Sequence, residues 1–141
     1  MGIRLELKVY GGAVVYQLRD GKPFFLLVQN AKSQAWEFLK DNKDANETLV
    51  EAANQAILKG IHSQLDLDSY FNHVIEYQHD DDTKQVTFYL AEAQAGAKYQ
   101  LSNAKYSALA WFDEVSTKEH LTFLNLKEVL HDAVNHIGSN K

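Results

Sequence analysis

The 141-residue chain has no cysteine, a single proline and a single methionine. Without cysteine there is no disulfide framework, no thiolate metal site and no cysteine nucleophile. That suits a reducing compartment. No apolar run approaches the roughly 20 residues a transmembrane helix needs. The opening MGIRLELKVY lacks the apolar core and small-residue cleavage site of a signal peptide. The Gly after Met1 is not followed by Ser or Thr where a myristoylation signal requires it. We therefore expect a cytoplasmic protein. Positive charge is scarce: 14 Lys and Arg stand against 19 Asp and Glu, a net charge of −5. That argues against nucleic acid or an anionic membrane as a partner, while a local lysine cluster still suits a small polyanion. There is no P-loop, no G-x-S-x-G and no H-E-x-x-H. His131 and His136 are five apart, not the four that places two ligands on one helix face. His62, His73, His79 and His120 show no ligand spacing. No metal ligand set can be named, and no cofactor is expected.

What remains is 45% hydrophobic and 23% charged, ordinary for a globular chain, and the length suits one domain, residues 1–141, around one core. Ile3, Leu5, Leu7 and Val9 alternate as on a strand face. Gly11-Gly12 reads as a break or bulge, and Ala13 to Tyr16 continues as a strand. Arg19-Asp20-Gly21-Lys22 is a turn signal. Pro23 opens a second strand, in which Phe24 to Val28 is the continuous apolar run of a buried element. Asn30 to Gln34 is loop, Trp36 to Leu39 a short extended piece, and Lys40 to Asn46 loop again. Thr48 and Glu51 have capping-box spacing ahead of a helix whose core face is Val50, Ala53, Ile57 and Ile61, with Gly60 loosening or ending it. Phe71–Gln78 and Gln85–Ala93 read as strands joined by a hairpin tip at Asp80, Asp81 and Asp82. Ser107 to Phe112 is a further strand. Capping-box spacings at Ser116/Glu119 and Asn125/Glu128 announce two more helices, the last with Leu126, Val129, Leu130, Ala133, Val134 and Ile137 on its core face. The order β-β-α-β-β-β-α-α describes a mixed α/β (α+β) domain with helices covering a central sheet.

Several segments in this order resemble the Nudix (MutT-like) superfamily, and most closely the asymmetric diadenosine tetraphosphate hydrolases. Gly12-Ala13-Val14-Val15 and Phe25-Leu26-Leu27-Val28-Gln29 are similar to that family's first two strands. Trp36 with Leu39-Lys40 is similar to its W-x-x-P-K-G segment, and Lys84 to Ala91 to its K-x-V-x-Y-W/F-L-A strand. Leu101-Ser102 followed by Trp111 is similar to L-S-x-E-H…W, and the helix around Leu130 to Ala133 fits as well. The resemblance implies a Nudix fold, an α/β/α sandwich around a mixed β-sheet, and a nucleotide or dinucleoside polyphosphate ligand.

The family box, G-x5-E-x7-R-E-U-x-E-E-x-G-U, falls on Asp41 to Ser63 when laid without gaps. Glu47 matches its first Glu. The three acids that would hold Mg²⁺, activate water and neutralise pyrophosphate are replaced by Ala56, Lys59 and Gly60 on one helix face. Taking Gly60-Ile61 as the closing pair instead puts Asn54, Ile57 and Leu58 at those positions. Ala104 stands where L-S-x-E-H has its Glu, and a one-residue shift gives Lys105.

The resemblance thus leaves Glu47 and Glu51 as the weak catalytic or metal candidates, against a bland role in capping. It makes Lys40, Lys59 and Lys84 phosphate-binding candidates, against three solvated lysines. Trp36, Phe88 and Tyr89 are base-stacking candidates, against core packing, and adjacent strand residues cannot both face a site. Three functions follow. The first is a nucleotide binder with impaired hydrolysis. The second is a Mg²⁺-dependent nucleoside-polyphosphate hydrolase recruiting acids from outside the box face, such as Glu37, Asp41, Asp44, Glu47 or Glu51. The third is a non-catalytic interaction scaffold.

Overall fold

The computed structural model describes residues 6–139. At its centre lies β1 (Leu7–Arg19), which runs through Gly11 and Gly12 without the predicted break. The glycines serve close approach instead. A Cβ on Gly11 would stand 2.5 Å from the Leu49 carbonyl oxygen and 2.6 Å from the Ala53 nitrogen, and one on Gly12 would stand 2.7 Å from the Phe88 ring. Bare backbone thus lets a helix seat on one face of β1 and an aromatic ring on the other. Leu7 is 57% exposed, so the expected apolar face begins further along, and Ile3 and Leu5 lie outside the described residues.

Along most of its length β1 pairs in parallel with β6 (Asp82–Glu92). It pairs antiparallel with β2 (Lys22–Asn30) near its end and with β4 (Leu39–Asn42) near its start. β2 also pairs with β7 (Tyr106–Asp113) and the two-residue β3 (Trp36–Glu37), and β6 with β5 (His73–His79). The result is one mixed seven-stranded sheet. β4 corrects the loop expected from Lys40: its partner is 26 or more residues upstream, and pairing with β1 overrides a locally polar sequence. Asp20 and Gly21 turn the first hairpin at positive φ, and Asp80 turns the β5–β6 hairpin.

α1 (Leu49–Ile61) starts as predicted. Thr48 Oγ1 accepts the Glu51 N–H at 3.1 Å, and Glu51 Oε1 accepts the Thr48 N–H at 2.9 Å. Its buried face is Ala52, Ala53, Ala56, Ile57, Gly60 and Ile61, whereas Val50 is 43% exposed. The close seat on Gly11 turns this small-residue face inward. Gly60 lies within the helix, and His62 in the left-handed conformation ends it. α2 (Glu114–His120) is capped by Asp113, which accepts the Ser116 N–H at 2.8 Å, so the Ser116 box falls inside the helix. α3 (Leu124–Ser139) likewise begins one residue before Asn125.

Two core layers flank the sheet. Ala13, Val15, Leu26 and Leu39 meet Ala56, Ile57 and Ile61 of α1 on one side. Val14, Phe25, Phe38 and Phe88 meet Leu126, Val129, Leu130 and Ala133 of α3 on the other. Each fully buried large side chain contributes roughly 1.5–3 kcal/mol. Helix, sheet and helix thus form the expected α/β/α sandwich. Among the described residues no helix is long and apolar enough to cross a membrane.

Candidate functional site

A cavity of about 770 Å³ opens on the α3 side of the sheet. Strand alternation builds it. Lys84, Val86 and Phe88 share one face of β6, and Phe38 and Lys40 share one face of the segment entering β4, which pairs with β1. The β5–β6 register sets Ile75 beside Val86 and Tyr77 beside Lys84. Phe38, Ile75, Val86, Phe88 and Leu126 therefore form an apolar floor, and Lys40 and Lys84 stand at its edge. Loops add Lys32 and Lys105, and Glu37 is the sole carboxylate among the lining residues. Four ammonium groups against one carboxylate invert locally the negative charge of the chain.

Lys40 is held from several sides. It donates to the Tyr77 hydroxyl at 2.9 Å, and its Nζ lies 5.5 Å from the ring centroids of both Tyr10 and Tyr77. Lys84 Nζ lies 5.7 Å from the Tyr10 centroid. Burial opposes the Lys40 ammonium, but the charge of Glu37 and the Tyr77 hydroxyl outweigh it and hold its pKa above the ordinary lysine value. Lys105 behaves oppositely. It is exposed as a residue, yet its Nζ end leans 5.5 Å over the Tyr106 ring. There burial first, then the charge of Lys40, pull its pKa below the ordinary value. The segment before Lys105 is pinned at several points. Buried Gln17 accepts from the Gly96 N–H at 2.6 Å, Ser102 donates to the Lys59 carbonyl at 2.7 Å, and Lys105 O accepts from Ala31 N–H at 2.9 Å.

The opposite side of the sheet carries the box helix. Of Ala56, Lys59 and Gly60, only Lys59 is exposed. Its ammonium donates to Asp41 Oδ2 at 2.9 Å. Two of these three positions are packed core and the third is an ion pair. Glu47 accepts the Asp44 N–H and Glu51 the Thr48 N–H, both at 2.9 Å, as turn and helix caps. Among the described residues no three His, Asp or Glu side chains gather to hold a metal ion. The residues on this face therefore do not fit the Mg²⁺ cluster that the family box implies.

Of the phosphate candidates, Lys40 and Lys84 reach the cavity, and Lys59 lies outside it. Of the aromatic candidates, Phe88 lines the floor. Tyr89 is on the other face of its strand, and Trp36 packs edge-on against Phe112 at 5.3 Å and His120 at 5.7 Å, away from the lining. Glu37 is in the cavity, while Asp41 is paired with Lys59. Asp82 pairs with Lys8 at 2.9 Å on the hairpin. Tyr77 and Tyr10 are not among the candidates the sequence offers, and Lys105 enters there only as the residue in place of a family acid. For Tyr77 the strand alternation with Ile75 was the available signal, whereas Lys105 sits in a loop whose path only tertiary bonds define.

This architecture is the Nudix fold. Among solved structures that share it is an Ap4A hydrolase of C. elegans in a binary complex, 19% identical, with a TM-score of 0.87 over 94% of this chain and 98% of that one. The NUDIX domain of Shewanella oneidensis NrtR, complexed with ADP ribose, is 15% identical, with a TM-score of 0.76 over 95% and 89%. The E. coli dihydroneopterin triphosphate pyrophosphohydrolase is 14% identical, with a TM-score of 0.71 over 90% and 95%. No protein-family model matches the sequence, and no curated protein does.

Proposed function

We propose that this chain is a nucleotide-binding protein on a Nudix scaffold, which holds a nucleoside polyphosphate on lysines and lacks metal-dependent hydrolysis. The observation that carries the reading is the convergence of Lys40, Lys84 and Lys105 on an apolar cavity, while the box helix offers an ion pair in place of acids. The volume suits a nucleotide-sized ligand. Ammonium groups supply the charge neutralisation for which Mg²⁺ is otherwise used, and Phe38, Val86 and Phe88 supply apolar surface for a base. The nucleotide chemistry named for the C. elegans and Shewanella structures supports the same class, including a dinucleoside polyphosphate. Removing a Lewis-acid site costs several kcal/mol of transition-state stabilisation, and each 1.36 kcal/mol is about tenfold in rate. The lack of cysteine supports a cytoplasmic setting.

Thermal melting with ADP, ATP, ADP-ribose and Ap4A, in EDTA and in Mg²⁺, tests this. Ligand at a hundredfold over Kd adds about 2.7 kcal/mol, a rise on the order of 10 °C for a chain of this size. The rise is expected in EDTA. A shift that requires Mg²⁺, or turnover of Ap4A at enzyme rates, would favour a hydrolase. No shift with any nucleotide would favour an interaction scaffold.

A further inference from the structure

Glu37 is 7% exposed and lines the cavity. Its Oε1 is fully buried, and no donor among the described residues reaches it. An acceptor buried without a partner is costly, and the cavity is rich in donors that do not close on it. Lys40 is turned to Tyr77 and Lys105 lies over Tyr106. No ion pair joins either to Glu37, although the charge of Glu37 is felt by both. Glu37 and several lysines thus line one cavity, with no ion pair between Glu37 and Lys40 or Lys105.

We propose that Glu37 makes this site specific for nucleotides over bare polyphosphate, its carboxylate turning to accept a hydrogen bond from an N–H or hydroxyl of the nucleoside while the lysines hold the phosphates. The inference rests on the nucleotide reading above. A bare polyphosphate satisfies the lysines equally, but it has no N–H or carbon-bound hydroxyl to offer. It leaves the carboxylate unpaired and sets its own charge against it. Sites built to hydrogen-bond one group discriminate strongly against analogues that lack it.

The test is calorimetric titration in EDTA of the wild type, Glu37→Gln and Glu37→Leu with ADP, ATP and tripolyphosphate. The wild type is expected to prefer ATP to tripolyphosphate by about tenfold or more, the worth of one hydrogen bond to a charged group. Both variants are expected to lose ATP affinity and to gain tripolyphosphate affinity, so that the preference collapses. The near-isosteric Gln variant keeps the test valid if the Leu variant fails to fold. Two further ligands identify the donor: a deficit with 2′-deoxy-ADP assigns it to the ribose, and a deficit with inosine diphosphate assigns it to the base amine. An unchanged ATP-to-tripolyphosphate ratio in Glu37→Gln overturns the role of Glu37 and leaves the lysine cradle standing. Binding of neither ligand by the wild type overturns both.

Discussion

Replacing Lys40 by Met removes one ammonium and keeps a stem of similar length, so the cavity wall stays in place. The lost group now donates to Tyr77 at 2.9 Å and sits between two tyrosine rings, a partly desolvated setting in which screening is weak. A hydrogen bond to a charged group contributes about 1.5–3 kcal/mol. At 1.4 kcal/mol per tenfold, nucleotide affinity should fall roughly 10- to 150-fold. Lys59→Met is the control, because its ammonium is already paired with Asp41 outside the cavity, and it should bind as the wild type does. Isothermal titration with ATP in EDTA at low salt reads the affinities, and thermal melting checks that each variant is folded. A shallower salt dependence for Lys40→Met should accompany the loss, since one fewer cation meets the phosphates. Lys40→Met binding within about threefold of the wild type, or Lys59→Met proving the weaker binder, would refute the cradle.

The lowered pKa of Lys105 makes affinity depend on pH. In the window between its folded value and the ordinary 10.5 the folded chain binds fewer protons than the unfolded one, so stability rises with pH there. A bound anion favours the ammonium, so nucleotide affinity should fall as pH climbs through that window, and Lys105→Met should flatten the slope in titrations across alkaline pH. Lys40, held above 10.5, stays charged in that range. Gly11→Ala drives a Cβ into the backbone of α1 and should cost about 1–3 kcal/mol, seen as a lower urea midpoint at unchanged slope; an unchanged midpoint would mean that α1 is not seated there. Thr48→Ala removes the α1 cap and should cost about 1 kcal/mol in the same assay.

Local rules predicted the elements whose information is local. The Thr48 capping box, the buried run of β2 and the apolar stripe of α3 are each set by residues within a few positions of one another, and each stands where expected. Failures came where a distant partner decides. Leu39 to Asn42 is a strand only because β1 lies beside it. The Gly11-Gly12 pair looks like a break until the helix and the Phe88 ring that need the space are present. The site divides in the same way. Lys40 and Lys84 were legible through the family resemblance alone, and Phe88 through the resemblance together with strand alternation. Lys59 lies outside the cavity, because packing on Gly11 turns the small residues of α1 inward and leaves Lys59 exposed beside Asp41. Asp113 displaced Ser116 as a cap because both residue types fill that role and the chain leaves β7 at the earlier one.

The contact between Gly60 and Leu39 also constrains how this sequence can change. A Cβ at position 60 would stand 2.5 Å from Leu39 Cδ2, and Leu39 is buried between the sheet and α1. A side chain introduced at position 60 requires the far end of Leu39 to shift, whereas trimming Leu39 alone leaves a void that costs about 2–5 kcal/mol. Two positions 21 residues apart in sequence are therefore coupled, and the side chain that fits at one depends on the rotamer adopted at the other.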